Sequence, residues 1–459
     1  MLIKEKELFK YIIALLLIFN KAIVNFVGIS YATYGILLFL MFLFLCKKVS
    51  SKEFLLYAMF VPNKYLQLGA VLFYAIFEAL ERRDRLKKAE IIFVIYVATI
   101  GALNCLFYDG YIWGTLFQAG LYCVVFRVIA SFSDGFDKDS LMDIMDTMFW
   151  VQIITAVIDY LKFRALGDPI TGTLISAHYF GIYLMIYCVL LIDNKPKKMS
   201  WWGVVFRIIL TLVMIYASDA KHVFATFVFA FLAYFIARKL NIKHKVTVVV
   251  SLITLAIIIG ACTYRLPAFQ NFLSRIGSIK PYLYDENYNK KAVFFARTFG
   301  EMLGANGIFG FGAGQFGSQI SITLSKGDIF LWNETLNNYR MSIEPYRRAM
   351  YELMTQWYST KGIGISSMVL GYPMVSFVGV FAELGIVGYA LLLLILDDRF
   401  KWRNATFLIA FFILSVFDTY LEIPCVFVMT LIATRISKEE PCYEPIKSIF
   451  IKGVKKNVG

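Results

Sequence analysis

Only three imidazoles occur in the chain, His178, His222 and His244. His222 closes the run Ser218-Asp-Ala-Lys221-His222, which sets a cation beside a potential proton acceptor. Downstream, residues 290–303 have helical periodicity, with Phe295, Phe299 and Met302 on one face and Arg297 four residues before Glu301. The turn Gly310-Phe-Gly312-Ala-Gly314-Gln-Phe316-Gly317 follows. Glycines at that density permit unusual torsions and close backbone approach, so Gly310, Gly312 and Gly314 are candidate contacts for a ligand such as a glycan. A second helical pattern covers 344–358, with Pro345 in its first turn, Glu344, Arg348 and Glu352 at four-residue steps, and Arg347 and Arg340 nearby. Arginine forks and a lysine suit pyrophosphate oxygens, so Lys221, Arg297, Arg340, Arg347 and Arg348 are candidates for holding one. Glu383, in Phe381-Ala-Glu-Leu-Gly385, and His222 are candidates for a general base. Each feature has a plainer reading: a structural turn, a solvated salt-bridged helix, an ordinary loop, or a carboxylate hydrogen-bonded within a bundle. The seven cysteines include no CxxC and no Cys/His cluster, so neither a disulfide framework nor a metal centre is indicated.

Residues of this kind must be positioned by elements built for lipid. The chain has 459 residues, 59% hydrophobic and only 17% charged, well off the composition of a soluble domain. Runs long enough to approach a bilayer crossing fall at 8–26, 29–46, 53–62, 65–80, 89–107, 112–131, 142–161, 174–192, 201–218, 222–238, 246–263, 372–396, 404–418 and 420–436. The expectation is an all-α polytopic integral membrane protein with 12–14 transmembrane helices. Its parts are an N-terminal bundle (1–263, about 11 spans), a large, partly helical outer loop (264–371), C-terminal helices (372–436) and a cytoplasmic tail (437–459). The segments 53–62, 404–418 and 420–436 are short for spans and read as tilted, re-entrant or miscounted. Residues 1–27 read as an uncleaved first span.

Of the 46 Lys and Arg, 28 fall in 1–10, 47–52, 81–88, 131–141, 193–200, 238–245, 397–403 and the tail after 434. The positive-inside rule makes those segments cytoplasmic, with both termini inside. Lys21, Lys64, Lys162, Arg164 and Lys221 fall to short outer loops. The net charge of +14 is therefore mainly an orientation signal, and a nucleic-acid partner is excluded. The long loop keeps 11 cations against 7 acids. Its aromatic residues, Tyr282, Tyr284, Tyr288, Trp332, Tyr339, Tyr346, Trp357 and Tyr358, suit a membrane interface or sugar stacking.

In order and placement, these motifs resemble the Wzy-type polysaccharide polymerase and O-antigen ligase superfamily. The similarity covers about residues 165–435. It rests on Thr171-Gly-Thr…His178, Ser218 to Lys221, Arg297 followed by Gly310–Phe316, and Glu383-Leu-Gly385-x-x-Gly388. The ligase branch carries a histidine, followed by Asn, Ser or Gln, eleven residues before the first glycine of its Gly-x-x-Gly, where this chain has Met374-Val375 ahead of Gly385, so the polymerase branch fits better. The resemblance implies a metal-independent membrane glycosyltransferase without cofactor in the bacterial cytoplasmic membrane. Donor and acceptor would be undecaprenyl-pyrophosphate-linked oligosaccharide repeat units, joined at the outer face into O-antigen or capsule. Membrane lipid, a chain-length regulator and a flippase are the implied partners. A ligase-type transferase and a lipid-linked oligosaccharide flippase are the alternatives. A flippase is expected to show two similar halves and short loops, and the chain shows neither.

Overall fold

The computed structural model describes residues 2–28, 30–82, 86–108, 112–132, 138–193, 196, 199–220, 222–230, 298–302, 304–316, 376–399, 405–417 and 423–436. Among these, all regular structure is helical. The helices are α1 (Leu2–Val27), α2 (Ala32–Leu45), α3 (Ser51–Ala58), α4 (Lys64–Arg82), α5 (Lys88–Phe107), α6 (Ile112–Ser131), α7 (Lys138–Phe163), α8 (Ala177–Asp193) and α9 (Trp201–Ala217). After them come α10 (222–230), the single turn α11 (Ala305–Phe309), α12 (Ser376–Arg399), α13 (Ala405–Phe417) and α14 (Pro424–Ile436).

Five stretches are long and apolar enough to cross a bilayer: Glu7–Val27, Lys88–Phe107, Ile112–Ser131, Asp139–Phe163 and Ser376–Leu396. The surface supports the same reading. On α1, Leu8, Tyr11, Leu15 and Phe19 are exposed along one stripe, while Ile13 and Leu17 are buried on the other side. Water would penalise such a stripe; lipid does not. The protein is an all-α, multi-pass membrane protein. Most of the expected outer loop, residues 437–459 and the expected span 246–263 lie outside the described residues.

The bundle carries a polar layer at each end. In the first, Lys10 of α1 pairs with Glu7 and with Asp143 of α7. Arg207 of α9 pairs with Asp146 of α7 at 2.7 Å, and Tyr187 of α8 donates to the same carboxylate. Ser140 reaches Glu53 at 3.3 Å, and Ser51 reaches Glu78 at 2.7 Å. Arg127 near the end of α6 donates to the carbonyl of Ala79 in α4 at 3.5 Å. The starts of α1, α3, α7 and α9 therefore meet the ends of α4 and α6. Residues beside five of the lysine- and arginine-rich segments expected on one face share this end.

The second layer forms where α1 and α7 finish. Lys21 lies within α1, not in a loop as expected, and pairs with Asp159 of α7 at 2.8 Å. Asp159 is 0% exposed. It also accepts from Asn25 (2.7 Å) and from the backbone N–H groups of Thr171 (3.0 Å) and Gly172 (3.1 Å). An ion pair at this depth persists only when its remaining lone pairs and protons are satisfied, and here they are shared among three segments.

Between the layers, α3 behaves as half a span. It has eight residues, starts on a Ser50–Glu53 capping box and ends in a turn whose Met59, Phe60 and Val61 are fully buried. Gln67 of α4 donates its side-chain amide to the carbonyls of Met59 (3.0 Å) and Val61 (2.9 Å). Turn carbonyls buried in protein need such a donor. At eight residues, α3 is too short to cross a bilayer as a helix by itself.

Lys21→Met would leave Asp159 charged and buried without its cation, which is expected to cost about 3–5 kcal/mol and to lower the detergent-solubilised melting temperature. Adding Asp159→Asn removes the uncompensated charge and is expected to recover part of that loss. A single variant that melts like the parent would rule out a supporting role for the pair.

Candidate functional site

The glycine-rich turn fits into a broken helix. α12 is interrupted at Gly385, whose φ of 62° and ψ of −175° are not helical. The interruption leaves carbonyls of the upstream turn without helical partners, and residues 310–316 satisfy them. Phe311 N–H donates to the carbonyl of Ala382 (2.9 Å), and Gly312 N–H to that of Glu383 (2.8 Å). Ala313 N–H donates across to Val97 of α5 (3.2 Å). Gln315 donates to the Thr115 hydroxyl of α6 (2.8 Å), and Tyr96 of α5 donates to the carbonyl of Phe309 (2.7 Å). Phe311 and Phe316 stack at 5.0 Å between centroids and are both fully buried.

These contacts account for the glycines. Gly310, Gly312 and Gly314 all have φ between 73° and 86°. A Cβ on Gly310 would overlap the backbone of Glu383 and Gly385; on Gly312, that of Gly101; on Gly314, that of Gly114. The close approach the sequence suggested is made to the chain's own backbone, across α5, α6 and α12. Glu383 belongs to the same assembly. It is 2% exposed, and its Oε1 accepts from Phe316 N–H at 3.2 Å. The geometry gives this carboxylate the task of holding the turn.

A second cluster lies above Asp159. Thr173 N–H donates to Gln152 Oε1 (2.9 Å), and Gly172 has φ 62° with no room for a Cβ against Gln152 and Phe180. With the bonds to Asp159, these fix the turn that leads into α8. Its first residues bring in His178, whose N–H donates to Ser176 Oγ (3.2 Å). The start of α10 approaches α8 where Gly181 faces Ala220; a Cβ on Gly181 would collide with that of Ala220. This close crossing sets the rings of His178 and His222 edge to face, 4.4 Å apart. His178 Nδ1 is buried and has no hydrogen-bond partner among the described residues. Ser218 is fully buried, and Asp219 takes φ 56° at the corner between α9 and α10. Two facing imidazoles can accept and pass a proton.

The structure thus brings His222 together with His178, and Glu383 together with Gly310, Gly312 and Gly314. Lys221, Arg297, Arg340, Arg347 and Arg348 lie outside the described residues. Sequence reasoning missed the pairing of His178 with His222 and of Lys21 with Asp159. Both had a signal: each partner sits at the same expected depth near the outer end of its span. Among the described residues, no group of three or more His, Cys, Asp or Glu could hold a metal ion. Apart from these clusters, an apolar cavity of about 130 Å³ lies between α6, α12, α13 and α14. No family model, curated protein or solved structure matches this chain.

Gly312→Ala and Gly314→Ala are expected to abolish folded protein, because the clashing atoms are backbone. Gly300→Ala, which meets nothing within 4 Å, should be tolerated. Size-exclusion profiles of fluorescently tagged variants report this directly. At Glu383, Gln keeps an acceptor for Phe316 N–H and should fold normally, whereas Ala should lose about 1–3 kcal/mol through the unsatisfied donor. Equal behaviour of the two would rule out the holding role.

Proposed function

We propose that the protein is a repeat-unit polymerase that joins undecaprenyl-pyrophosphate-linked oligosaccharides into a surface polysaccharide, O-antigen or capsule. In this reading it has 12–14 spans in the bacterial cytoplasmic membrane, both termini in the cytoplasm and the long cationic segment 264–371 at the outer face. One observation carries the proposal. The motifs on which the resemblance rests are far apart in sequence, yet all that lie among the described residues gather at one end of the bundle. Thr171–Thr173, His178, Ser218–Ala220 and His222 stand over the Asp159 layer. Gly310–Phe316 and Glu383 lie where α5 ends and α6 begins, the end opposite the Arg127–Ala79 contact.

In the proposed reaction, an acceptor sugar hydroxyl attacks the anomeric carbon of the donor glycan. The bond from that carbon to the pyrophosphate oxygen breaks, and lipid pyrophosphate leaves with the electron pair. Lys221, Arg297, Arg340, Arg347 and Arg348 supply the positive charge that stabilises the leaving group. The acceptor proton passes to His222, with His178 as its neighbour in the relay. Glu383 acts at one remove, by fixing the turn, and not as the base. The outer aromatic residues line the sugar path. A flippase would also suit a broken helix. In this protein, however, the break at Gly385 is filled by the chain's own turn rather than left open to a substrate.

A complementation assay with gel analysis of polymer length tests this. Lys221→Ala or Arg297→Ala should leave single repeat units and no ladder at normal expression, and His222→Ala should reduce polymer formation by about a hundredfold or more. Deletion of the gene with unchanged surface glycan would refute the proposal.

A further inference from the structure

The long polar segment expected at the outer face contains a stretch without charge. From Met302 to Ser325, between Glu301 and Lys326, no Asp, Glu, Lys or Arg occurs. Its described part touches the bundle at graded depths. Just ahead of it, Phe299 meets Phe381, five residues into α12 from Ser376, with ring centroids 5.8 Å apart. The carbonyl of Phe309 accepts from Tyr96, eleven residues back from the end of α5 at Phe107. Gly310 packs on Gly385, nine residues into α12. Gln315 then bonds Thr115, three residues from the start of α6 at Ile112. At the helical rise these points lie about 8, 17, 14 and 5 Å from the helix ends. The ends share one side of the bundle. Cys105, near the end of α5, meets Thr115, and α12 runs antiparallel to α5, because Gly388 faces Tyr96 while Gly310 bridges Gly385 and Asn104. The chain therefore goes in and comes out on the same side. With 20 residues, α5 matches the roughly 30 Å hydrocarbon core, so the low point at Phe309 lies near the bilayer midplane.

Two further observations belong to lipid rather than water. The N–H groups of residues 310, 311, 312, 313, 315 and 316 all donate to acceptors within the protein. A turn in water has no need of such complete pairing, whereas one in hydrocarbon does. Ile308 and Phe309 nonetheless face outward, at 48% and 47% exposure, and Ile386, next to Gly385, is 58% exposed. Tyr96 sets them beside the exposed apolar stripe of Ile92, Ile95 and Leu103 on α5. We propose that residues 304–316 form a re-entrant loop that dips to the middle of the bilayer, and that Ile308, Phe309 and Ile386 are a contact surface for lipid acyl chains at that depth. The long segment is thereby pinned into the membrane part-way along, between Arg297 and the Arg340–Arg348 cluster. This inference rests on the membrane-spanning fold and not on the polymerase reading.

The test uses the full chain in nanodiscs of phosphatidylcholine that carries a diazirine either at the end of an acyl chain or at the glycerol level. Labelled peptides are read by mass spectrometry. In the wild-type protein, the chain-end probe should label Ile308 and Phe309 more than the glycerol-level probe does. In parallel, the thiol introduced by Ile308→Cys should react with a water-soluble maleimide at least about tenfold more slowly in the nanodisc than after denaturation, since hydrocarbon disfavours the reactive thiolate. The wild-type labelling decides the matter even if the variant fails to fold. Preferential labelling by the glycerol-level probe, no labelling of this peptide by either probe, or a thiol that reacts as fast in the nanodisc as after denaturation would each overturn the proposal.

Discussion

Inside a bilayer, a chain that leaves the helix must find partners for its backbone within the protein. That requirement organises this molecule. At Gly385, the carbonyls of Ala382 and Glu383 are released from the helical ladder and taken up by Phe311 and Gly312. The partners come from a segment some seventy residues upstream, so the break in α12 and the turn 310–316 define each other. α5 and α6 are drawn into the same joint through Val97 and Thr115. Small residues at Gly101 and Gly114 are what allow three backbones to meet there.

The second constraint is charge. Lys21 and Asp159 would each be unfavourable alone at their depth, and together they anchor the turn at Thr171 to both α1 and α7. Through Gly167 N–H, which donates to the carbonyl of Ala217 at 2.7 Å, the same loop is tied to the end of α9. The positions of His178 and His222 follow from this arrangement, since each sits at the start of a helix whose approach those contacts set. The facing imidazoles depend on a buried salt bridge that contains no histidine.

Much of this was legible in the residues. Apolar runs placed the helices to within a few positions, because twenty-residue hydrophobic stretches have one stable form in lipid. The lysine and arginine bias grouped the ends of α4, α6, α7 and α9 correctly, because it reflects loops rather than packing. What composition could not convey was which breaks are mated. Gly385 is legible only as part of the Glu383-Leu-Gly385-x-x-Gly388 motif, and the turn 310–316 reads as a ligand loop, until the two are seen in contact. Glu383, a lone carboxylate in an apolar run, suggests chemistry by itself, and nothing in the residues shows that it also accepts from the Phe316 amide. Lys21 was assigned to a loop because a lysine marks an end when its counter-charge, 138 residues away, is out of view.

The half-length helix α3 has a consequence for how the protein is made. Its turn at Met59–Val61 is satisfied by Gln67, and α4, which carries that glutamine, packs against α14 near the end of the chain. A segment this short has too few apolar residues to be stable in the bilayer by itself. It is completed as soon as α4 follows and Gln67 reaches the turn, so α3 and α4 enter the bilayer as one unit.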